Sequence, residues 1–497
     1  MPNADKKERE AGLEGETSGL SFAQENTKKV MRLGTAPIGR LLFEFGVPAV
    51  TAIVLNGLYN VIDSVFLGQA MGKIGLAATT VASPPMTVLL AVCMLAGAGG
   101  NALAAILLGQ GRRDRAEMAL GNTMFIVLVE AVPVALVATF CLDPILRFVG
   151  ATDETLPYAR LFMQIICYGF VFNNISFGVN NFIRTAGAPY LALATATAGT
   201  VVCIVLNYLF VLVFGWGVAG SAAATVLGQV ASSVWVLWYF IFSKKAPFKL
   251  RARCLRPEGK LCARILALGL APFALQCAAA VNQMAGNFVL SVLGAADALG
   301  TDGALASIGV VMKIVMFTIF PAIGVATAAQ PILGFNVGAR NYDRVKRTLF
   351  CTLATATVIL AALFAVVHIW PVQLVAMFGV EQDLMDFSID ALKVMTILLP
   401  LVSVQIIGGN YFQATGQPMK SAILSLTRQL IFQLPLYFII PAVVPGLFPG
   451  VSQLFSFCFA FPVSDALAIA FCGIFLLVEI RRLNGLLAQE AQRSANA

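Results

Sequence analysis

The sequence predicts an all-α integral membrane protein with twelve transmembrane helices in two pseudo-symmetric six-helix lobes. Three observations lead there. Hydrophobic residues make up 59% of the chain and the mean hydropathy is +0.85, above the roughly 45–50% apolar usage of soluble domains. Charged residues make up only 12%, too few to cover a soluble surface. The chain also repeats itself. Gly111-Arg112-Arg113-Asp114-Arg115 returns about 227 residues later as Gly338-Ala339-Arg340-Asn341-Tyr342-Asp343-Arg344. Arg184-Thr185-Ala186-Gly187-Ala188-Pro189 returns about 229 residues on as Ala414-Thr415-Gly416-Gln417-Pro418. Asn56 is matched by Asn282, and Pro48 by Pro272. Such an offset marks the duplication of a whole bundle, and paired halves around a central cavity are an architecture of secondary transporters.

The apolar stretches run 42–68, 76–109, 118–140, 158–183, 190–214, 217–242, 265–293, 303–335, 348–370, 387–412, 421–446 and 454–480. Each exceeds the roughly 20 residues that span a bilayer as a helix, and none alternates at period two as a membrane β-strand would. Residues 1–36 are polar, lack a signal-peptide core and read as a disordered tail. Residues 37–242 then form the N-lobe, with helices 1–6. A basic linker over 243–264, carrying Lys244, Lys245, Lys249, Arg251, Arg253, Arg256, Lys260 and Arg264, is expected to lie on the anionic inner leaflet. The C-lobe, helices 7–12, occupies 265–482, and 483–497 form a second tail. Prolines inside the spans, such as Pro48, Pro84-Pro85, Pro272, Pro321 and Pro331, remove backbone donors and bend helices.

Lys and Arg set the orientation. They crowd into the N-terminal segment and the even-numbered loops (Arg112, Arg113, Arg115, Arg184, the linker, Arg340 through Arg347, and Lys420 with Arg428), whereas Asp153, Glu154, Asp297, Asp302, Glu381 and Asp383 sit in the odd-numbered ones. Both termini are therefore expected in the cytoplasm. The net charge of +8 is this topology signal, and nucleic-acid binding is not expected because no basic patch exists apart from the loops. The ten cysteines show no zinc spacing. The single histidine, His368, and the absence of nucleotide-binding or HExxH motifs leave no catalytic constellation. The chain is expected not to be an enzyme and to need no cofactor, its work being driven by an ion gradient or a partner subunit.

An ionisable side chain at membrane depth costs at least about 2.5–3.5 kcal/mol and needs a reason. Asp63, Glu130, Asp465 and, nearer an edge, Glu44 qualify, and Lys313 is the one deep cation. Asp63 shares a helical face with Asn56 and Asn60. Such a carboxylate can exchange a proton near neutral pH, bind sodium given enough neutral oxygens, or be satisfied structurally by its Asn and Ser neighbours. Lys313 is expected to pair structurally within its own half, and Asp465, after Pro462, to satisfy a kinked backbone or reach the cavity. Asn180, Asn282, Gln283, Met284 and Gln413, with Asn56, Asn60 and Glu130, fit a roomy, partly polar cavity for amphipathic ligands. Each is also a candidate for an interhelical hydrogen bond.

These residues carry a resemblance. Gly46-Val47-Pro48-Ala49 leading to Tyr59-Asn60-Val61-Ile62-Asp63, then Gly109-Gln110-Gly111, Arg184 through Pro189, Gly215 through Thr225, and Gln330 through Ala339 resemble the multidrug and toxic compound extrusion (MATE) family, in its bacterial MepA-like branch. The match covers the chain beyond the N-terminal tail. It implies two lobes forming a V around a cleft, a place in the bacterial inner membrane, a monomeric working unit, and export of organic cations or amphipathic drugs in exchange for protons or sodium. It further implies that Asp63 and Thr225 belong to a cation-coupling site in the N-lobe. Asn207 stands where related members often carry a second aspartate, and Cys203 where they carry an asparagine. One carboxylate instead of two weakens the case for sodium and favours a proton on Asp63. A flippase for lipid-linked sugars is the alternative; it would need a cationic cavity, for which only Lys313 is deep.

Overall fold

The computed structural model describes residues 32–495 except 150, 152, 154, 244, 245, 247, 298, 379–381 and 449. Some side chains within helices, those of Asn56, Asn60 and Asp63 among them, lie outside the described residues. The chain is all helical as described. The N-lobe comprises α1 (Ile38–Gly109), α2 (Arg113–Phe140), α3 (Leu156–Tyr168), α4 (Phe170–Thr185), α5 (Pro189–Val213) and α6 (Gly217–Phe242). The C-lobe comprises α7 (Gly259–Ala295), α8 (Gly300–Gly338), α9 (Tyr342–Ile369), α10 (Gln382–Met395), α11 (Leu399–Ala414), α12 (Pro418–Leu447) and α13 (Gln453–Gln489).

Ten stretches are long and apolar enough to cross a membrane, and two bent pairs bring the number to twelve. The pairs are α3 with α4, bent by 61° at Gly169, and α10 with α11, bent by 52° just before Pro400. They are the fourth and tenth spans, so the breaks obey the repeat. Backbone conformation obeys it too. Gly111 and Arg340 both take positive φ (73° and 56°), as do Gly187 and Gly416 (80° and 77°). Every one of these residues ends a helix at the same end of the bundle, here termed the basic end.

The first two spans, expected as separate helices, form one helical run of 72 residues in α1. Straight, it would be about 108 Å long, against the roughly 30 Å of a bilayer core. It is not straight: Phe335 of α8 flanks both Gly34, just before α1, and Gly109 at its end. The run therefore doubles back between its apolar parts, Ile38–Leu55 and Val81–Gly109.

Glycines join the lobes. Gly99 faces Ile265 and Gly269 of α7, Gly269 faces Leu95, Gly338 faces Ile106 and Gly109, and Gly324 faces Val50, each so closely that a Cβ would collide. The uppermost such approach is Gly57 against the Phe320 ring. Among the described residues, all of these inter-lobe approaches fall between the basic end and that contact. The lobes are thus sealed at the basic end, and the cleft opens beyond Gly57 and Phe320 toward the far end.

Two expectations for the connecting segments change. Leu33, placed in the disordered tail, is buried against α8; its carbonyl accepts hydrogen bonds from Asn336 Nδ2 (2.9 Å) and Arg344 Nη2 (3.3 Å), and Ala36 O accepts from Arg344 Nη2 at 2.6 Å. The basic linker is strapped to α2 as well as basic. Glu258 receives Arg115 Nη1 on both oxygens (2.9 and 2.6 Å). The buried Asn122 accepts the Glu258 N–H at 2.8 Å and donates to the carbonyls of Cys254 and Arg256. Phe248 is buried and stacked on Phe240. The cause is shared: the first turns of α2 and α9 present an Arg at equivalent repeat positions, and each grips the chain leading into the other lobe's first helix. The tail expected from 483 prolongs the last helix to Ala495.

Candidate coupling pocket and cleft

In the N-lobe α5 and α6 meet through Gly199 and Gly228, which leave no room for a Cβ on either helix. That approach brings Cys203 Sγ to 3.9 Å from Thr225 Oγ1, the thiol donating. One turn further along, Asn207 on α5 and Ser221 on α6 are both fully buried. α5 changes to a π-helical turn over Tyr208–Val213 immediately after Asn207, an irregularity that occurs frequently at functional sites. Cys203, Asn207 and Thr225 thus occupy one helix–helix seam. The remaining expected members, Asn56, Asn60 and Asp63, have side chains outside the described residues. Their helix approaches the same seam near its end, where Met71 Sδ accepts the Val218 N–H of α6 at 3.2 Å.

Glu130 lies on α2, and Asn174 Nδ2 donates to its Oε2 at 3.0 Å. Asn173 Nδ2 reaches Cys93 Sγ at 3.7 Å. Asn180 does not line an open cavity: it is buried, donates to Ala192 O at 3.2 Å and accepts from Thr195 at 3.2 Å, tying α4 to α5. Gln413 has the same kind of task in the C-lobe, accepting from Gln330 Nε2 at 3.3 Å while Gln330 also donates to Asn410 Oδ1 at 2.8 Å. Its N-lobe counterpart is the Thr185 hydroxyl donating to Asn101 Oδ1 at 2.6 Å.

The C-lobe holds a polar network inside its core. Tyr437 OH accepts from Gln433 Nε2 (2.8 Å) and from Asn282 Nδ2 (3.4 Å), while its ring stacks on Phe457 at 4.7 Å. Beside it Arg428 Nε donates to Asp465 Oδ1 at 2.7 Å. Sequence reasoning placed Arg428 in a loop and gave Asp465 no partner; Arg428 lies ten residues inside α12, where a buried carboxylate on α13 neutralises it. Along α7, Asn282 is buried, Met284 is half-buried, and Gln283 and Asn287 form an exposed polar pair one turn apart.

Lys313 is exposed and makes no ion pair among the described residues, against the expected structural pairing. The reason is its face. At helical spacing it shares a side of α8 with Phe320 and Gly324, which touch α1, and it lies two turns beyond Phe320, about 10 Å. There the lobes have parted. Lys313 and the exposed Met316 therefore line the cleft wall.

Comparison with known proteins decides the family. The MatE family model matches residues 48–209 and 262–439, one segment in each lobe. The chain belongs to the MatE family. The relatives it resembles include the multidrug export protein MepA of Staphylococcus saprophyticus, 23% identical over 80% of this chain and 86% of that protein. The protein named "Probable multidrug resistance protein YpnP" of Bacillus subtilis is 28% identical over 84% of this chain and 92% of that one. Among solved structures, the MATE multidrug transporter DinF-BH, captured in complex with a small molecule, superposes with a TM-score of 0.81 at 30% identity, covering 90% of this chain and 97% of that one. A MOP superfamily transporter from Pyrococcus furiosus superposes at 0.85 with 21% identity, covering 92% and 99%. This MatE chain is thus a multi-pass membrane protein of a bacterial multidrug-transporter type.

Several residues of this MatE chain escaped sequence reasoning. Ser221 was read as helix packing only. Tyr437 and Gln433 carried no signal beyond being polar within a span. The buried Glu479, held by Gln417 (2.8 Å), Lys420 (3.2 Å) and Arg482 (3.1 Å), closes the basic end of the C-lobe. Its proximity to the repeated Gly-Gln-Pro turn follows only from the fold.

Proposed function

We propose that this protein is a secondary antiporter of the bacterial inner membrane, exporting organic cations or amphipathic drugs in exchange for protons, with sodium the less favoured ion. One observation carries the reading: a buried seam of Cys203, Asn207, Ser221 and Thr225 lies within one lobe of a MatE fold whose cleft opens only toward the far end. The orientation from Lys and Arg makes the far end the extracellular side, with both termini cytoplasmic. The chain as described is then outward-facing, ready to release a drug and take up the coupling ion. Asp63 is the ion's carrier, and Asn207 and Thr225 are its polar neighbours. Ion and drug favour opposite-facing states, and this differential affinity couples the two fluxes. A monomer suffices, since both lobes come from one chain. The proteins named for multidrug export and the small-molecule complex of DinF-BH support the drug class, and the exposed Gln283, Met316 and Asn287 supply adaptable contacts.

The test is reconstitution of the wild type into liposomes and measurement of ethidium movement under an imposed pH gradient, with and without a sodium gradient. The proposal expects movement driven by pH alone. Movement driven only by sodium would reverse the choice of ion. The alternative, a flippase for an amphipathic lipid, draws on Lys313 in the cleft. A folded protein that moves no ethidium but scrambles a lipid-linked sugar would establish it.

A further inference from the structure

The fourth span is interrupted twice within a few residues: the chain bends by 61° at Gly169 and then runs as a π-helix over Ile175–Val179. Between the two irregularities lie Asn173 and Asn174. Interrupted helices at membrane depth are tolerated where they line a cavity, and in transporters they build ion sites. Gly178 makes room for the irregular turn by packing directly on Gly97 of α1.

Glu130 reaches this interruption from α2. Asn174, fully buried, donates to Glu130 Oε2. The other carboxylate oxygen, Oε1, is buried without any hydrogen-bond partner, and so is the Asn174 carbonyl oxygen. No lysine, arginine or histidine pairs with Glu130 among the described residues. A charged carboxylate taken out of water requires a cation or several donors, and a single amide N–H does not meet that need. The pair presents two orphaned acceptors and lacks a positive charge. Two oxygens are too few to replace the shell of an alkali cation, whereas a proton needs only one.

We propose that Glu130 is a second proton-carrying acid of the N-lobe, bound at the interruption of the fourth span and held in place by Asn174. Oε1 takes up a proton from water, forming the neutral acid, and gives it back to water as the carboxylate when the lobe changes state. Asn174 acts as the positioning residue, fixing Oε2 so that Oε1 is the oxygen that exchanges. The other ionisable groups on the packed elements are few. Cys93 on α1 faces the carboxylate, and α3 carries the buried Cys167 and also Tyr168, whose hydroxyl meets Thr139. The ion pairs Arg115–Glu258 and Arg251–Glu117 lie at the basic end, and Arg160–Asp143 and Arg147–Asp153 at the far end.

The use of this proton in transport rests on the exporter reading, but its presence does not. Infrared difference spectra of the purified full-length protein across a pH series read the carboxylic acid C=O band directly. Glu130→Gln keeps the acceptor for Asn174 and is neutral, so it should fold; thermal melting checks this. The wild type should show a pH-dependent acid band that Glu130→Gln lacks, and Asn174→Ala should shift that band in frequency. In liposomes Glu130→Gln should lose part of the proton flux per ethidium exported, although a merely structural role would leave it unchanged. A Glu130→Gln variant that retains every pH-dependent acid band overturns the proposal, as does an unaltered proton-to-dye ratio. A wild type that shows the band yet exports no dye would leave the acid in place and remove the exporter reading.

Discussion

Arg428 and Asp465 approach within 2.7 Å in the C-lobe core, with side chains largely out of solvent. Removing one member of a buried pair leaves an uncompensated charge, at a cost of about 3–5 kcal/mol, while replacing both with apolar groups is often neutral. Arg428→Met and Asp465→Leu should therefore each lower stability by about that amount, and the double variant should recover most of it. Denaturation of the detergent-solubilised proteins measures the cycle. All the ionisable residues at issue were visible in the sequence, because a charge in an apolar run stands out. Their partners were not. Asn174 precedes its turn of the π-helix, Arg428 sat where the span boundary was uncertain, and Lys313 lacks a partner because the lobes diverge at its level. Pairing depends on which helices touch, and periodicity does not carry that information.

Backbone conformation at the element scale follows the duplication. Gly187 ends α4 and Gly416 ends α11 with the same left-handed turn (φ 80° and 77°), a conformation costing roughly 1–2 kcal/mol for a residue with a Cβ. Gly187→Ala and Gly416→Ala should each destabilise by about that much. Arg340→Gly should do the opposite, since Arg340 occupies the position that Gly111 fills in the first repeat. Thermal melts of the three variants check the signs. The Gly-Pro turns and their spacing were legible beforehand, as were the apolar spans. The breaks in the fourth and tenth spans were not, because Gly169 and Pro400 read like the many other glycines and prolines that membrane helices tolerate. The reversal within α1 was legible as two spans, although the helix is continuous through it.

The whole molecule is held in one state by its basic end. Gly99 admits Ile265 and Gly269 against α1, and Arg344 holds the carbonyls of Leu33 and Ala36. Gly99→Leu should wedge the lobes apart there. Arg344→Ala should weaken the same closure by removing the grip on the entry to α1. Spin labels on the first turns of α2 and α9 should report longer distances in both variants than in the wild type, with the larger change in Gly99→Leu. The two-lobe plan itself was legible from the repeat. Which end is sealed was not, because it depends on small residues from both halves meeting across a boundary that neither half encodes alone.

The central claim is that proton entry through the N-lobe drives export. It is tested most directly by reconstituting the wild type and Asp63→Asn into liposomes and following ethidium under a pH gradient with sodium absent. The account predicts gradient-driven transport by the wild type and none by a folded Asp63→Asn. Undiminished transport by Asp63→Asn would contradict it.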